Sequence, residues 1–338
     1  MTGRITLLLI MAMVVSTHVA CGEKPRHQPD VGLRASTYAT SSNSIQFKWP
    51  THIAFGPGRQ EIVSDLKNNR FVFRSSSDDT FQVSSVPVRG QHSLVYNPAD
   101  QLYYANDTDN HRIIAFASLA NKQITSQTKA IAGVGLKRPH DIVLDSTTGW
   151  LYAINPSSGH VFRFKAIGKD ESAIKVPVKG YARALTFANG TLYVIGSAKG
   201  RIVEVVDWGT KKFNIYDSHD PTGRAGPAGS WNKTGLVLND VEFFNGSWYA
   251  TSYFTKSYAK GTDPDEHKFI RFASMKDLVA GDWTDLSGLV PEGMTPYYLT
   301  AEGGALYLAI FNHESPGKGD SILKFVPLRT APSPVKTK

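Results

Sequence analysis

Short apolar runs of four to six residues recur along most of the chain, each closed by a turn signal. This pattern predicts strands rather than helices. Aligned by their turns, the runs form a repeated unit of three strands with six copies. The first strands begin at His52, His92, His140, Arg183, Asp240 and Tyr298. Each meets a tight turn: 56–58, Asn97-Pro98, 146–149, Asn189-Gly190, Asn245-Gly246 and Gly303-Gly304. Second strands of Leu/Trp-Tyr type follow near residues 61, 102, 151, 192, 248 and 306. Third strands follow near 70, 112, 160, 201, 268 and 321. Successive first strands lie 40 to 58 residues apart, which fits one four-stranded blade per repeat. The expected fold is therefore all-β, a six-bladed β-propeller over residues 45–328. A single blade cannot bury both of its faces, so the circle must close end to end. Ile45, Phe47 and Trp49 alternate with polar residues, and 44–49 is expected to supply the outer strand of the last blade.

The N-terminus departs from this pattern. Arg4 precedes an apolar run from Ile5 to Val15, and small and polar residues then lead to Cys21. The run is shorter than the roughly 20 residues that span a bilayer, so residues 1–20 are expected to be a signal peptide. Cys21 is the only cysteine of the 338-residue chain, so no intrachain disulfide can form. Residues 21–44 are polar and carry Pro25, Pro29 and a Ser/Thr cluster, which predicts a flexible tether. Residues 329–338 are expected to form a disordered tail. The net charge of +8, from 37 Lys and Arg against 29 Asp and Glu, is scattered singly along the chain. That argues for solubility and attraction to anionic substrates, and against nucleic acid.

In a propeller the second-to-third loops and the inter-blade connections share one face. The long segments 217–238, 253–267 and 312–320 all fall there, where they are expected to form a binding rim. The same face receives the starts of the innermost strands. That ring reads His52, His92, His140, Arg183, Asn239 with Asp240, and Tyr297 with Tyr298. Three neutral imidazoles are good ligands for a divalent cation, zinc above all, and leave an open coordination position. Without an ion, the same side chains would hydrogen-bond one another and trapped water. Asp65, Asn106, Asp107 and Asn155, at the ends of second strands on this face, are candidates for supporting partners or a hard-cation site. No nucleotide-binding glycine motif, serine elbow or paired-cysteine zinc motif is present.

The strand pattern resembles the NHL-type six-bladed propellers. The wording at His92-Ser93-Leu94 and Pro139-His140-Asp141-Ile142-Val143 resembles the zinc-binding strands of the peptidylglycine amidating lyase domain. In that family three channel histidines hold the metal, while an Arg and a Tyr act on an α-hydroxylated amide. The resemblance implies His92, His140 and His52 as ligands, Arg183 as substrate clamp, and Tyr297 or Tyr298 as base. Asn239-Asp240 resembles the inner-strand start of the gluconolactonase and senescence-marker group of calcium-dependent lactonases. The placement of Cys21 after Val19-Ala20 resembles a bacterial lipobox. It implies a lipid anchor at the outer membrane, facing the periplasm or cell surface, since no Asp follows Cys21. The expected function is a monomeric, metal-dependent lyase or hydrolase acting on a small-molecule or peptide substrate, with Arg183 holding an anionic group and Asp240 or a tyrosine moving the proton. The other reading is a non-catalytic scaffold gripping a peptide, glycan or partner protein through Trp231, Tyr253 and Tyr258.

Overall fold

The computed structural model describes residues 32–41, 45–75, 80–222, 235–252 and 267–328. The expected signal peptide, Cys21, most of the expected tether, the C-terminal tail and the loop aromatics Trp231, Tyr253 and Tyr258 lie outside them. The described residues form six four-stranded antiparallel sheets arranged as a propeller. Blade one runs from the axis outwards as Pro50–Phe55, Glu61–Asp65, Arg70–Arg74 and Gln82–Val83. Blades two to five open on the inner strands Leu94–Asn97, Ile142–Asp145, Ala182–Ala188 and Leu238–Phe244. Among the described residues the one α-helix is Met275–Ala280, a short turn in blade five. The Ser274 side chain caps its start, and Gly281, at φ +84°, ends it.

Closure uses a different segment from the one expected. In blade six, the strands Met294–Glu302, Ala305–Asn312 and Ser321–Pro327 are completed by Leu33–Thr40, which pairs antiparallel with Ser321–Pro327. The propeller thus begins twelve residues earlier than expected. The alternation of Ile45, Phe47 and Trp49 does report burial, for Phe47 is fully enclosed. This segment, however, crosses from blade six to blade one, and its N–H groups go to side chains instead of a ladder. Phe47 N bonds Ser41 Oγ at 2.9 Å, Lys48 N bonds Asp65 Oδ1 at 2.6 Å, and Trp49 N bonds Asp320 Oδ2 at 2.7 Å.

One of those contacts recurs around the disc. Lys48 N reaches Asp65, Arg89 N reaches Asp107 at 2.7 Å, and Lys137 N reaches Asn155 at 2.8 Å. In each case the last residue of a second strand captures the linker arriving from the previous blade. Asp65 and Asp107 sit in one sequence frame, Asp-x-x-Asn-x-Arg. Asn68 and Arg70 bond Asp65 at 2.8 Å each, while Asn110 and Arg112 bond Asp107 at 3.0 and 2.6 Å. Each frame turns through a left-handed residue, Asn69 or His111. These carboxylates therefore organise blade junctions, and their oxygens are engaged by the chain. Asp107→Ala would strand the Arg89 N–H and the Arg112 guanidinium, and is expected to cost about 3–5 kcal/mol in urea-induced unfolding. Removal of Leu33–Thr40 is expected to lower the melting temperature and promote self-association, because it bares the edge of Ser321–Pro327.

Candidate functional site at the channel mouth

The geometry of the site follows from a bulge at the head of the inner strands. In blades one, four, five and six the ladder slips at this point, between Pro50 and His52, Ala182 and Ala184, Leu238 and Asp240, and Pro296 and Leu299. Strict alternation is broken, so consecutive residues form two stacked rings about the axis. Each member of the lower ring is followed by a buried aliphatic residue: Ile53, Leu94, Ile142, Leu185, Val241 and Leu299. Counted back from these, the lower ring is His52, Ser93, Asp141, Ala184, Asp240 and Tyr298. The upper ring, at the mouth, is Thr51, His92, His140, Arg183, Asn239 and Tyr297. His52 was expected beside His92 and His140 but lies one level deeper, because it directly precedes the buried aliphatic Ile53, whereas Ser93 and Asp141 stand between His92 and His140 and theirs.

The upper ring is tightly coupled. The His92 and His140 rings stack at 3.9 Å between centroids and 22° between planes. Tyr297 Oη lies 3.1 Å from His92 Nδ1, and Thr51 Oγ1 donates to the His92 carbonyl at 2.8 Å. His140 Nδ1 lies 2.7 Å from the Arg183 carbonyl and 2.6 Å from Tyr298 Oη, which itself donates to that carbonyl at 2.8 Å. A carbonyl oxygen only accepts, so the arrangement is satisfied when Nδ1 of His140 carries the proton and Nε2 is the basic nitrogen. The Arg183 guanidinium lies 4.9 Å from the Tyr181 ring centroid, a cation–π contact. Asn239 is fully enclosed, yet neither its amide nitrogen nor its amide oxygen has a hydrogen-bond partner.

The electrostatics separate the mouth from the channel below it. Burial holds the His92 imidazole down at about 3, with the Arg183 and Arg138 charges adding to the effect. Burial, His92 and Arg183 hold His140 well below its ordinary range. Burial alone brings His52 to about 4. All three are neutral at physiological pH. Below them, burial raises the Asp141 carboxyl to about 7 and that of Glu242 to about 8, and places Asp240 well above its ordinary range.

Asp240, expected to move a proton, is bound into the fold. Its oxygens accept the N–H groups of Val241 at 2.8 Å and Leu299 at 2.7 Å, the second across the blade junction. Asp141 does the same for blades two to four, accepting from Ser93 Oγ at 2.6 Å and Leu185 N at 2.8 Å. Both latch the free N–H groups that the neighbouring bulge creates. His92, His140, Arg183 and the two tyrosines do converge. Tyr181 and the buried Asn239 complete the mouth. The cue for Tyr181 is its position two residues before Arg183.

The histidines do not form a shared-ion set. Nearly parallel stacked rings hold their in-plane lone pairs side by side instead of aiming them at one point. His52 sits on another level, and His140 Nδ1 is already bonded. Among the described residues no group of three or more His, Cys, Asp or Glu side chains is placed to hold a metal.

No family model matches the sequence, and a comparison with curated proteins returns no match. The fold has many solved counterparts. A gluconolactonase from Xanthomonas campestris superposes with a TM-score of 0.60 at 14% identity, over 88% of this chain and 90% of the other. Virginiamycin B lyase from Staphylococcus aureus, solved as a catalytically inactive histidine-to-alanine variant with quinupristin, gives a TM-score of 0.57 at 11% identity over 88% and 100%. A protein of unknown function from Bacteroides thetaiotaomicron gives 0.60 at 13% over 87% and 76%. At these identities the likeness is one of fold, a six-bladed propeller shared with lyase and gluconolactonase-type enzymes.

The buried groups set opposite pH dependences. Glu242 binds its proton more tightly folded than unfolded, so its contribution to stability is complete below its ordinary 4.5 and is lost as pH rises towards about 8. His52 binds its proton less tightly folded, so its contribution is present above 6.5 and is lost as pH falls towards about 4. Thermal melts across pH are expected to show Glu242→Gln flattening the alkaline limb of the profile and His52→Gln the acid limb.

Proposed function

We propose that the channel mouth is the working site of a lyase or hydrolase that acts by general acid–base chemistry on a small carbonyl substrate of ester, lactone or amide type. The observation that carries this reading is the pairing of neutral imidazoles with phenols beside a buried guanidinium: His92 with Tyr297, His140 with Tyr298, and Arg183 between blades three and five. A neutral imidazole has a lone pair free to accept a proton, and negative charge developing on a bound substrate would raise the basicity that burial, Arg183 and Arg138 depress at His92. His92, half-buried in the upper ring, is the base that takes a proton from substrate carbon or from water. Arg183 stabilises negative charge as it develops on the carbonyl oxygen. His140, held by Tyr298 and the Arg183 carbonyl, is a positioning residue that packs flat on His92 and fixes its plane. The unpartnered amide of Asn239 suits a polar group of the substrate, and the fold neighbours that act on a lactone or a streptogramin support the substrate class.

The stacked imidazoles as folded do not suit a shared metal ion. The second reading, a non-catalytic scaffold, draws on the 2% exposure of His140, which suits a structural plug. Assay of the purified chain against a panel of lactones, esters and cyclic depsipeptides separates the two. His92→Ala and Arg183→Ala are each expected to lower kcat/KM about 10²- to 10⁴-fold, with melting temperatures close to that of the parent chain. Unmeasurable turnover across the panel, with specific capture of a polymer or protein by the intact chain, would favour the scaffold.

Export and lipid attachment through Cys21 are part of the same proposal, and place the site in the cell envelope. Among the described residues no helix is long and apolar enough to cross a membrane. Mass spectrometry of the chain produced in a Gram-negative host is expected to show residues 1–20 removed and a lipid-modified N-terminal Cys21, and Cys21→Ser is expected to shift the protein from the membrane to the soluble fraction.

A further inference from the structure

Below the two rings the channel widens into a cavity of about 290 Å³. It reaches towards the face that carries the short hairpin turns, where exposed Glu302 marks the rim. His52, Asp141, Asp240 and Tyr298 form its head. The next level outwards is largely small or apolar, with Ala54, Val95 and Val143 among its members, and Glu242 is its one carboxyl. No lysine or arginine lines the cavity, although the chain carries a net charge of +8. The channel is therefore polar along its axis, with guanidinium groups at the mouth and carboxyls beneath.

The polar groups of the cavity differ in how far the fold engages them. Asp141 commits both oxygens to inter-blade bonds, Asp240 commits one to its neighbour Val241 N and the other across the junction to Leu299 N, and the Thr300 hydroxyl donates to the Ile53 carbonyl at 2.8 Å. Glu242 commits one oxygen to its own neighbour, the Phe243 N–H at 3.1 Å. His52 Nδ1 is sealed from solvent without a hydrogen-bond partner, so it is not open to the cavity. A ligand complementary to this cavity brings N–H donors and positive charge at one end and an apolar body at the other. Its body would meet Val95, Val143 and the rings of Tyr96 and Phe187 at the outer wall.

We propose that the lower channel is a binding site for a small primary amine in its ammonium form, which donates to Glu242 and lays its apolar body against the aliphatic and aromatic wall. This site is separate from the mouth and does not rest on the function proposed there. An ammonium draws Glu242 into its ionised form, against the burial that otherwise holds its carboxyl up at about 8. The other titratable groups lining the cavity are Asp141, Asp240, His52, Tyr96, Tyr298 and Glu302. Binding at pH 7 is thus coupled to release of the Glu242 proton.

The test is titration calorimetry of the purified chain with benzylamine, and with benzyl alcohol as the uncharged isostere, in two buffers of different ionisation heat. Glu242→Gln and Val143→Phe are run alongside, the second to fill the cavity with a side chain, and thermal melts establish that each variant folds. The expected result is saturable one-to-one binding of benzylamine with a buffer-dependent heat. Affinity is expected to fall at least about tenfold for benzyl alcohol and in each folded variant. Should Glu242→Gln fail to fold, Val143→Phe decides. Absence of saturable amine binding to the parent chain, equal affinity for the alcohol, or unchanged affinity in a folded variant would overturn the proposal.

Discussion

Everything at the axis depends on how the bulged inner strands dispose of the backbone N–H groups that their bulges release. A bulge at the head of an inner strand breaks the ladder to its neighbour, and a buried N–H without an acceptor is costly. Asp141 and Asp240 answer this by reaching across blade junctions to Leu185 and Leu299. The acceptors are buried carboxyls, and their burial holds their protons on. The same bulges turn two consecutive residues of each strand towards the axis, and this creates an upper ring of imidazole, guanidinium and phenol over a lower ring richer in carboxyl. Site composition and the electrical polarity of the channel thus share one local cause.

Around the rim a second device serves the same end. Asp65, Asp107 and Asn155 each take the N–H of an arriving linker, and two of them are buttressed by an arginine at the start of the third strand. These contacts are local in sequence, which suits a structure assembled blade by blade. The exception is the last blade, whose outer strand comes from the opposite end of the chain. Its pairing is the longest-range contact in the disc and holds the ring shut.

The chemistry of the mouth follows from desolvation. Imidazoles with no nearby carboxylate to stabilise a cation, and with guanidinium groups close by, stay neutral. Neutrality lets His92 and His140 stack face to face, and lets each pair with a phenol. The stack that suits base chemistry is the feature that does not suit a shared ion, because ligand lone pairs must converge. Shared fold with lyases and lactonases does not choose between catalysis and binding.

The strand content, the number of blades and the identity of the inner strands were legible in the sequence, because they rest on local periodicity and turn chemistry that repeat six times. The mouth residues His92, His140, Arg183 and Tyr297 were legible for the same reason, since equivalent positions of a repeat are brought to one axis. The Asp-x-x-Asn-x-Arg frames could also have been read, as a spacing shared by blades one and two. Three matters depended on the folded chain. Leu33–Thr40 closes the circle in place of 44–49, because both segments alternate and only a long-range pairing distinguishes a ladder strand from a buried crossing. His52 lies one level below the other two histidines, because it adjoins its buried aliphatic directly, and only the folded chain shows that two consecutive residues of an inner strand reach the axis on different levels. Asp240 is a latch, because the N–H it satisfies lies 59 residues away and becomes its neighbour only when blade six docks.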